Sequence, residues 1–262
     1  MLNNTVKQRL AKGQPTVGQW ISFPSPAIAE LVASFQPDWL VLDTEHTPTD
    51  AETIEHMLRA MGGTDVVPLV RVAANDVALI KKALDRGAYG AVVPLVNTQE
   101  QAQAAVAAAK YPPEGIRGVA GTRASRYGMD LPDYFARWNS QVMVICQIET
   151  AEALENVDAI AAVPGVDVLF IGPNDLSANL NLFRQFEHPE FRSAVDRILS
   201  AASHHGIAAG YMATTADEVL ARVDQGFRFV SAGSDTRQMA AAAGAAYTTI
   251  KKGLAERTKA AR

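Results

Sequence analysis

Four apolar runs in this sequence end on residues that can bind ions or move protons. WLVLD at 39 to 43 runs into Thr44, Glu45 and His46, VPLVRV at 67 to 72 carries Arg71, and VMVICQIE at 142 to 149 ends on Gln147 and Glu149. VDVLFIG at 166 to 172 leads through Gly172, Pro173 and Asn174 to Asp175. Glu149 and Asp175 are carboxylates at the ends of consecutive runs, and so few protein oxygens leave most of an ion's coordination shell open. That suits Mg2+ or Mn2+, which keep waters and accept substrate oxygens in an octahedral site. The keto and carboxylate oxygens of a 2-oxo acid fill two such positions, and a cation there stabilises an enolate. For either acid alone, the competing reading is a cap on the helix that follows its strand.

A guanidinium at the end of an apolar run is expensive without a partner. Arg71 finds one in an internal ion pair to Asp43 or Glu45, or in a substrate carboxylate or developing enolate oxygen met by its planar fork; the two readings are compatible. His46 is the one histidine at a strand end, since His56 lies on a helix, His188 precedes a proline, and His204 and His205 lie near a helix terminus. A lone histidine is often structural, but beside a substrate hydroxyl an imidazole is the natural proton carrier. The lysines argue against Schiff-base chemistry, which needs an amine inside the fold. Lys7, Lys12, Lys81, Lys82, Lys110, Lys251, Lys252 and Lys259 all fall in helical or terminal segments. No GxSxG, HExxH or GxGxxG motif is present.

The elements that must position these residues alternate between short β-rich runs and longer helical stretches, the signature of a parallel sheet wrapped by helices. Eight runs are readable: the four above with GQWIS (18 to 22), AVVPLV (91 to 96), IAAGYM (207 to 212) and FRFVSAG (227 to 233). Most are continuously apolar, as strands buried on both faces must be. Between them SPAIAELVASF, TDAETIEHMLRAM, NDVALIKKALDRG, NTQEQAQAAVAAAKY and TADEVLARVDQG repeat apolar residues at helical spacing. Ser25, Asp50, Asn75, Asn97 and Thr215 are candidate N-caps, and Gly87 and Gly226 candidate left-handed stops. Eight βα units predict a single (β/α)8 barrel over residues 1 to 262, with functional groups at the C-terminal ends of the strands. The longest irregular stretch, 111 to 134, is read as functional or as an interface. TRASR at 122 to 126 within it reads as a solvated or interface loop.

With 262 residues, 48% hydrophobic and 20% charged, the chain is long enough for one substantial core and has the composition of an ordinary soluble domain. A net charge of -4 leaves no basic footprint for nucleic acid. The single cysteine, Cys146, sits in an apolar run as a core thiol and is compatible with a reducing compartment. Neither a signal-peptide h-region nor a run of about 18 apolar residues is present, so the expected location is cytoplasmic and the expected membrane partner none.

WLVLDTEH, IGPNDLS, QIET and YPPEGIRGV, in this order and spacing, together resemble the HpcH/HpaI aldolase family of class II pyruvate aldolases, through residues 15 to 255. The resemblance implies a (β/α)8 barrel using Mg2+ or Mn2+, with Co2+ or Zn2+ as alternatives. It implies Glu149 and Asp175 as metal ligands and Gln147, Gly172, Pro173, Asn174 and Asp175 around the substrate. His46 would act on a 4-hydroxyl through a metal-bound water, with Arg71 stabilising the transition state. Asp43 would support the pocket and Asp85 would raise the histidine's basicity; from the residues alone, Asp85 reads as a surface helix position. Family members often carry EHAP and GPADLS where this chain has EHTP and GPNDLS, a difference that bears on substrate preference. The implied reaction is reversible cleavage of a 4-hydroxy-2-oxo acid to pyruvate or hydroxypyruvate and an aldehyde. Alternatives are oxaloacetate decarboxylation, malyl or citramalyl thioester cleavage, or a non-catalytic binding barrel. The implied assembly is a homo-oligomer, a hexamer built as a trimer of dimers, with the alanine-rich C-terminal helix at 235 to 257 packed on a neighbouring subunit.

Overall fold

The computed structural model describes residues 3–260. Eight parallel strands, β1 (Thr16–Ile21), β2 (Trp39–Asp43), β3 (Val67–Arg71), β4 (Gly90–Val93), β5 (Met143–Ile148), β6 (Val168–Ile171), β7 (Ala208–Ala213) and β8 (Phe229–Ser234), close into a barrel in sequence order. All eight expected strands are present. The helices are α1 (Thr5–Ala11), α2 (Pro26–Ala33), α3 (Ala51–Ala60), α4 (Val77–Asp85), α5 (Gln99–Ala109), α6 (Leu131–Gln141), α7 (Ala151–Glu155), α8 (Val157–Ala161), α9 (Pro173–Asn179), α10 (Pro189–His204), α11 (Ala216–Gln225) and α12 (Asp235–Ala260). No helix among the described residues is long and apolar enough to cross a membrane.

Side chains alternate along each strand, and the alternation divides the core in two. Trp20, Trp39, Val41, Val67, Leu69, Met143, Ile145, Val168, Phe170 and Phe229 fill the barrel interior, while their neighbours face the helices. Trp39 and Phe229 stack at 3.9 Å, and Gly18 is required beside them, because a Cβ there would lie 2.1 Å from the Trp39 ring. The same period carries the inward columns upward from Trp39 and Val41 to Asp43, from Val67 and Leu69 to Arg71, and from Met143 and Ile145 to Gln147. The polar residues therefore crown columns that are apolar below. At the other end α1 plugs the barrel, with Val6 in the interior cluster and buried Asn4 hydrogen-bonded to Gln141.

Ser25, Asp50 and Thr215 cap their helices as expected. Two expected caps are displaced by one residue. Asp76 caps α4 by accepting from the Ala78 and Leu79 amides, while the Asn75 amide donates to the Gln101 carbonyl. Thr98 caps α5, because the Asn97 side chain accepts from Thr150 instead. Gly226 ends α11 at φ 115 and Gly87 follows α4 at φ 106. The fourth strand stops at Val93, short of the expected Val96, because Pro94 has no N–H to give the ladder and Leu95 turns left-handed at φ 52.

The expected irregular stretch gives way to α6 at Leu131. What remains joins α5 to β5 and so lies at the N-terminal end of the strands, opposite the polar crown. Arg123 pins it there by donating to the carbonyls of Arg86 and Leu58 at the ends of α4 and α3, so TRASR is partly a helix-terminating segment and not wholly a solvated loop.

Candidate active site

The crown is organised by Asp43. Its carboxylate accepts Arg71 Nε at 2.8 Å and Nη2 at 2.7 Å, and Oδ1 also accepts the Glu45 amide at 3.0 Å. Asp43 and Arg71 are register partners on adjacent strands, so the bidentate pair follows directly from the sheet. The chain then leaves β2 along a fixed path. The Thr44 amide and hydroxyl donate to the Arg71 carbonyl at 3.0 and 2.6 Å, and the Thr47 hydroxyl donates to the Asp43 carbonyl. Arg71 Nη1 lies 2.9 Å from Glu45 Oε2, and the guanidinium packs 4.5 Å from the centroid of Trp20. The internal ion pair is thus formed with both acids, and it does not exhaust the arginine. A guanidinium has five N–H donors; two are given to Asp43, Nη1 ion-pairs with Glu45 Oε2 without a directed hydrogen bond, and at least two donors remain for a ligand.

Glu149 follows β5 and is 3% exposed. Oε1 accepts the Leu95 amide at 2.8 Å, delivered by the left-handed turn after β4, and Oε2 accepts Gln147 Nε2 at 2.6 Å. Burial pushes its carboxyl above the ordinary range, against the pull of these donors and of Arg71. Asp175 stands exposed in the first turn of α9. A Cβ on Gly172 would lie 3.0 Å from Glu149 Oε2 and 3.7 Å from Asp175 Oδ2, so the two carboxylates flank the bare face of this glycine. A Cβ there would crowd Glu149 Oε2 while making only ordinary contact with Asp175.

The helix-cap reading of the two acids does not hold. Thr150 caps α7, and the N-cap of α9 is Gly172, with no side-chain capping bond. Among the described residues no group of three or more His, Cys, Asp or Glu side chains is placed to share an ion. The donor set is two hard oxygens on an open cradle, which fits a cation that keeps most of its own waters. Gln147 Oε1 is buried without a hydrogen-bond partner, so its free acceptor also favours a donor arriving in the site.

His46 stands at the rim, 67% exposed, with Nε2 3.8 Å from Glu45 Oε2. Asn174 is exposed on α9 beside Pro173. The lysines sit on α1, α4 and α12 or at helix ends, as expected. Asp85 is not part of this site within the chain. It ends α4, which runs down the barrel, and there Oδ1 accepts Arg117 Nη2 at 2.8 Å. Contributors absent from the sequence reading are Trp20, the Leu95 amide and Asn179, whose amide group donates to the Glu149 and Asp175 carbonyls. Only Asn179 had a signal, its spacing of four from Asp175 on one helix.

Residues 16–242 match the HpcH/HpaI aldolase/citrate lyase family. The chain belongs to that family. It is 40% identical over 250 residues to the 5-keto-4-deoxy-D-glucarate aldolase of Salmonella paratyphi C, covering 95% of this chain and 97% of that protein. It is also similar to the structure of an HpcH/HpaI aldolase/citrate lyase family protein from Burkholderia cenocepacia, with a TM-score of 0.91, 36% identity and coverage of 95% and 100%. The structure of the citrate synthase SbnG is similar at TM-score 0.86 and 30% identity, covering 96% of this chain and 99% of that one. The HpcH/HpaI fold carries lyase chemistry here, and this member is an aldolase.

Proposed function

We propose that this aldolase is divalent-metal-dependent and cleaves a 4-hydroxy-2-oxo acid to a pyruvate-type 2-oxo acid and an aldehyde. The observation that carries this reading is the pair of carboxylate oxygens flanking bare Gly172, with the uncommitted N–H donors of Arg71 in the same crown. The substrate class agrees with the name of the Salmonella relative. Numbered from its other end, a 5-keto-4-deoxy-glucarate is a 2-oxo acid with a methylene at carbon 3 and a hydroxyl at carbon 4.

Glu149 and Asp175 would hold Mg2+ or Mn2+, which supplies Lewis-acid stabilisation of negative charge on a 2-oxo acid. The two free N–H groups of Arg71 meet the oxygen on which enolate charge develops, and their position is set by Asp43 and Glu45 before substrate arrives. Gln147 orients Glu149 through Nε2 and keeps Oε1 for a donor. His46 takes the proton of the 4-hydroxyl. As it does so, the bond between carbons 3 and 4 breaks, its electron pair passes to the enolate, and the former hydroxyl carbon leaves as the aldehyde. Carbon 3 then takes a proton from water at the open mouth, and the imidazolium of His46 returns its proton to the hydroxide left behind. Thr47 in EHTP and Asn174 in GPNDLS stand where family members often carry alanine, and these two positions would bear on substrate preference.

The assembly belongs to the same proposal. Helix α12 is anchored at its start, where Asp235 accepts the Ser22 and Phe23 amides, yet Met239, Tyr247, Ile250 and Leu254 along it are exposed. We read this face as covered by a second copy in a homo-oligomer, a hexamer of three dimers, which light scattering would measure. Only a second copy could bring Asp85 to a His46.

A coupled assay of pyruvate release over a panel of 4-hydroxy-2-oxo acids, with oxaloacetate included, tests the reaction. Chelation should abolish release and Mg2+ or Mn2+ restore it, and Glu149→Ala should weaken ion binding by calorimetry. Full activity in excess chelator would overturn the metal reading.

A further inference from the structure

We infer that Trp20 is a positioning residue for Arg71, the side chain whose ring face fixes the plane in which the arginine presents its free N–H groups; the inference rests on the aldolase reading above. The bonds from Arg71 Nε and Nη2 to Asp43 lie in the plane of the guanidinium and resist motion within that plane. They leave one movement open, a flap of the whole group about the line of those two bonds. That flap would swing the remaining donors away from the oxygen they serve. Trp20 lies against the face of the group, with its ring centroid 4.5 Å from Cζ, and blocks the flap on the side of the barrel interior.

The ring has no room to yield. Trp20 is 2% exposed and rests on Phe170 at 5.6 Å, Phe170 meets Phe229 edge-on at 6.0 Å, and Phe229 stacks on Trp39. This aromatic column continues through the barrel interior behind the arginine, and a close-packed interior transmits strain instead of absorbing it. Indole Nε1 is buried without a hydrogen-bond partner, so the ring is placed by its faces alone. Among aromatic side chains, tryptophan gives a cation the most favourable face.

The sheet is irregular beside this residue. Gly18 pairs with Ser231 and Trp20 with Ser234, so two steps along β1 match three along β8. Gly233 pairs with neither neighbouring strand, stands at φ 86, and gives its amide to Ser231 Oγ at 3.2 Å. A bulge of this kind re-aims the side chains next to it. Trp20 is the first paired residue of β1 beyond the bulge and lies one residue from the mouth end of that strand.

Two substitutions separate the ring face from the filling of space. Trp20→Phe keeps an aromatic face, whereas Trp20→Met fills the site with a flexible apolar chain and offers none. In Trp20→Met the kcat for exchange of the methyl protons of pyruvate should fall about 10-fold, as for a misplaced reacting group, with KM changed by less than about 3-fold. Cleavage should fall by the same factor, because Arg71 acts on the enolate common to both reactions. Trp20→Phe should hold exchange within about 3-fold of the unaltered protein. Equal losses in the two variants would assign the effect to packing and overturn the inference, as would near-normal exchange in Trp20→Met. NMR of the metal-free protein reads the contact without turnover. The δ-methylene protons of Arg71 should stand upfield by ring current in the unaltered protein and in Trp20→Phe, and return toward ordinary arginine positions in Trp20→Met. No upfield shift in the unaltered protein would also overturn the inference, and that reading stands even where Trp20→Met fails to fold. Absence of both exchange and cleavage from the unaltered protein would instead count against the aldolase reading, with the ring-current shift still deciding the contact.

Discussion

Arg71 and Arg117 are built from the same parts at opposite ends of the barrel, and one of them can meet a substrate. Each pairs with an aspartate and packs against aromatic rings: Arg71 with Asp43 and Trp20, Arg117 with Asp85, Tyr111 and Trp138. The Arg117 side chain is fully buried, and its remaining hydrogen-bond partner is the hydroxyl of Tyr134. Burial pushes the hydroxyls of Tyr111 and Tyr134 above their usual range, so both stay neutral around it. Arg71 is held as firmly by its acids but keeps two donors at an open strand end. An arginine–aspartate pair by itself marks neither function nor structure; what distinguishes these two is whether the donors left over face an open strand end, as at Arg71, or are sealed inside, as is Arg117 Nε, which is buried without a partner.

The largest effect expected from this contrast is in Arg71→Lys, which preserves charge but not the fork. Cleavage and pyruvate exchange should both fall by about 10²-fold or more, the scale of a lost oxyanion donor. Near-normal exchange in Arg71→Lys would make Arg71 a purely structural ion pair like Arg117. His46→Ala should lose cleavage by about 10²-fold while exchange falls far less. Equal losses in the two assays would tie the histidine to the enolate step.

Arg117→Ala should appear in unfolding, not in chemistry. Removing one partner of a buried pair costs about 3 kcal/mol, toward the low end here because Asp85 is partly exposed. A change in denaturant midpoint worth less than about 0.5 kcal/mol would put this pair among surface ion pairs. The smallest effect concerns Cys146, whose thiol burial pushes up to about 12 from an ordinary 9.0. Because the folded thiol keeps its proton to higher pH than the unfolded one, its contribution to stability is intact below pH 9 and declines as pH rises toward 12. At pH 8 the buried thiol keeps its proton, so alkylation should await unfolding. Rapid labelling of native protein would show that the layer between barrel and helices opens.

The barrel was legible because strands buried on both faces are apolar throughout, and eight such runs stand out between amphipathic helices. The crown was legible for the same reason: Asp43, Arg71, Gln147 and Glu149 are polar at places where apolar residues are the rule. Short-range competition blurred the details. Asp76 and Thr98 outbid Asn75 and Asn97 as caps because the asparagine side chains had tertiary partners.

By itself the sequence determined the parallel barrel, the end of it that carries chemistry, and the family motifs with their ligating and proton-carrying residue types. The first two follow from periodicity and from the cost of placing charge in an apolar run, and the last rests on the resemblance of the motifs. The tertiary structure decided how the types are used. It put Glu149 and Asp175 on either side of Gly172, delivered the Leu95 amide to Glu149, and set the Trp20 ring against Arg71. It also sent Asp85 to the far end, where Arg117 holds it. Contacts between residues tens of positions apart depend on the register in which strands pair and helices return. No local pattern encodes that register, because it is set by packing of the whole barrel.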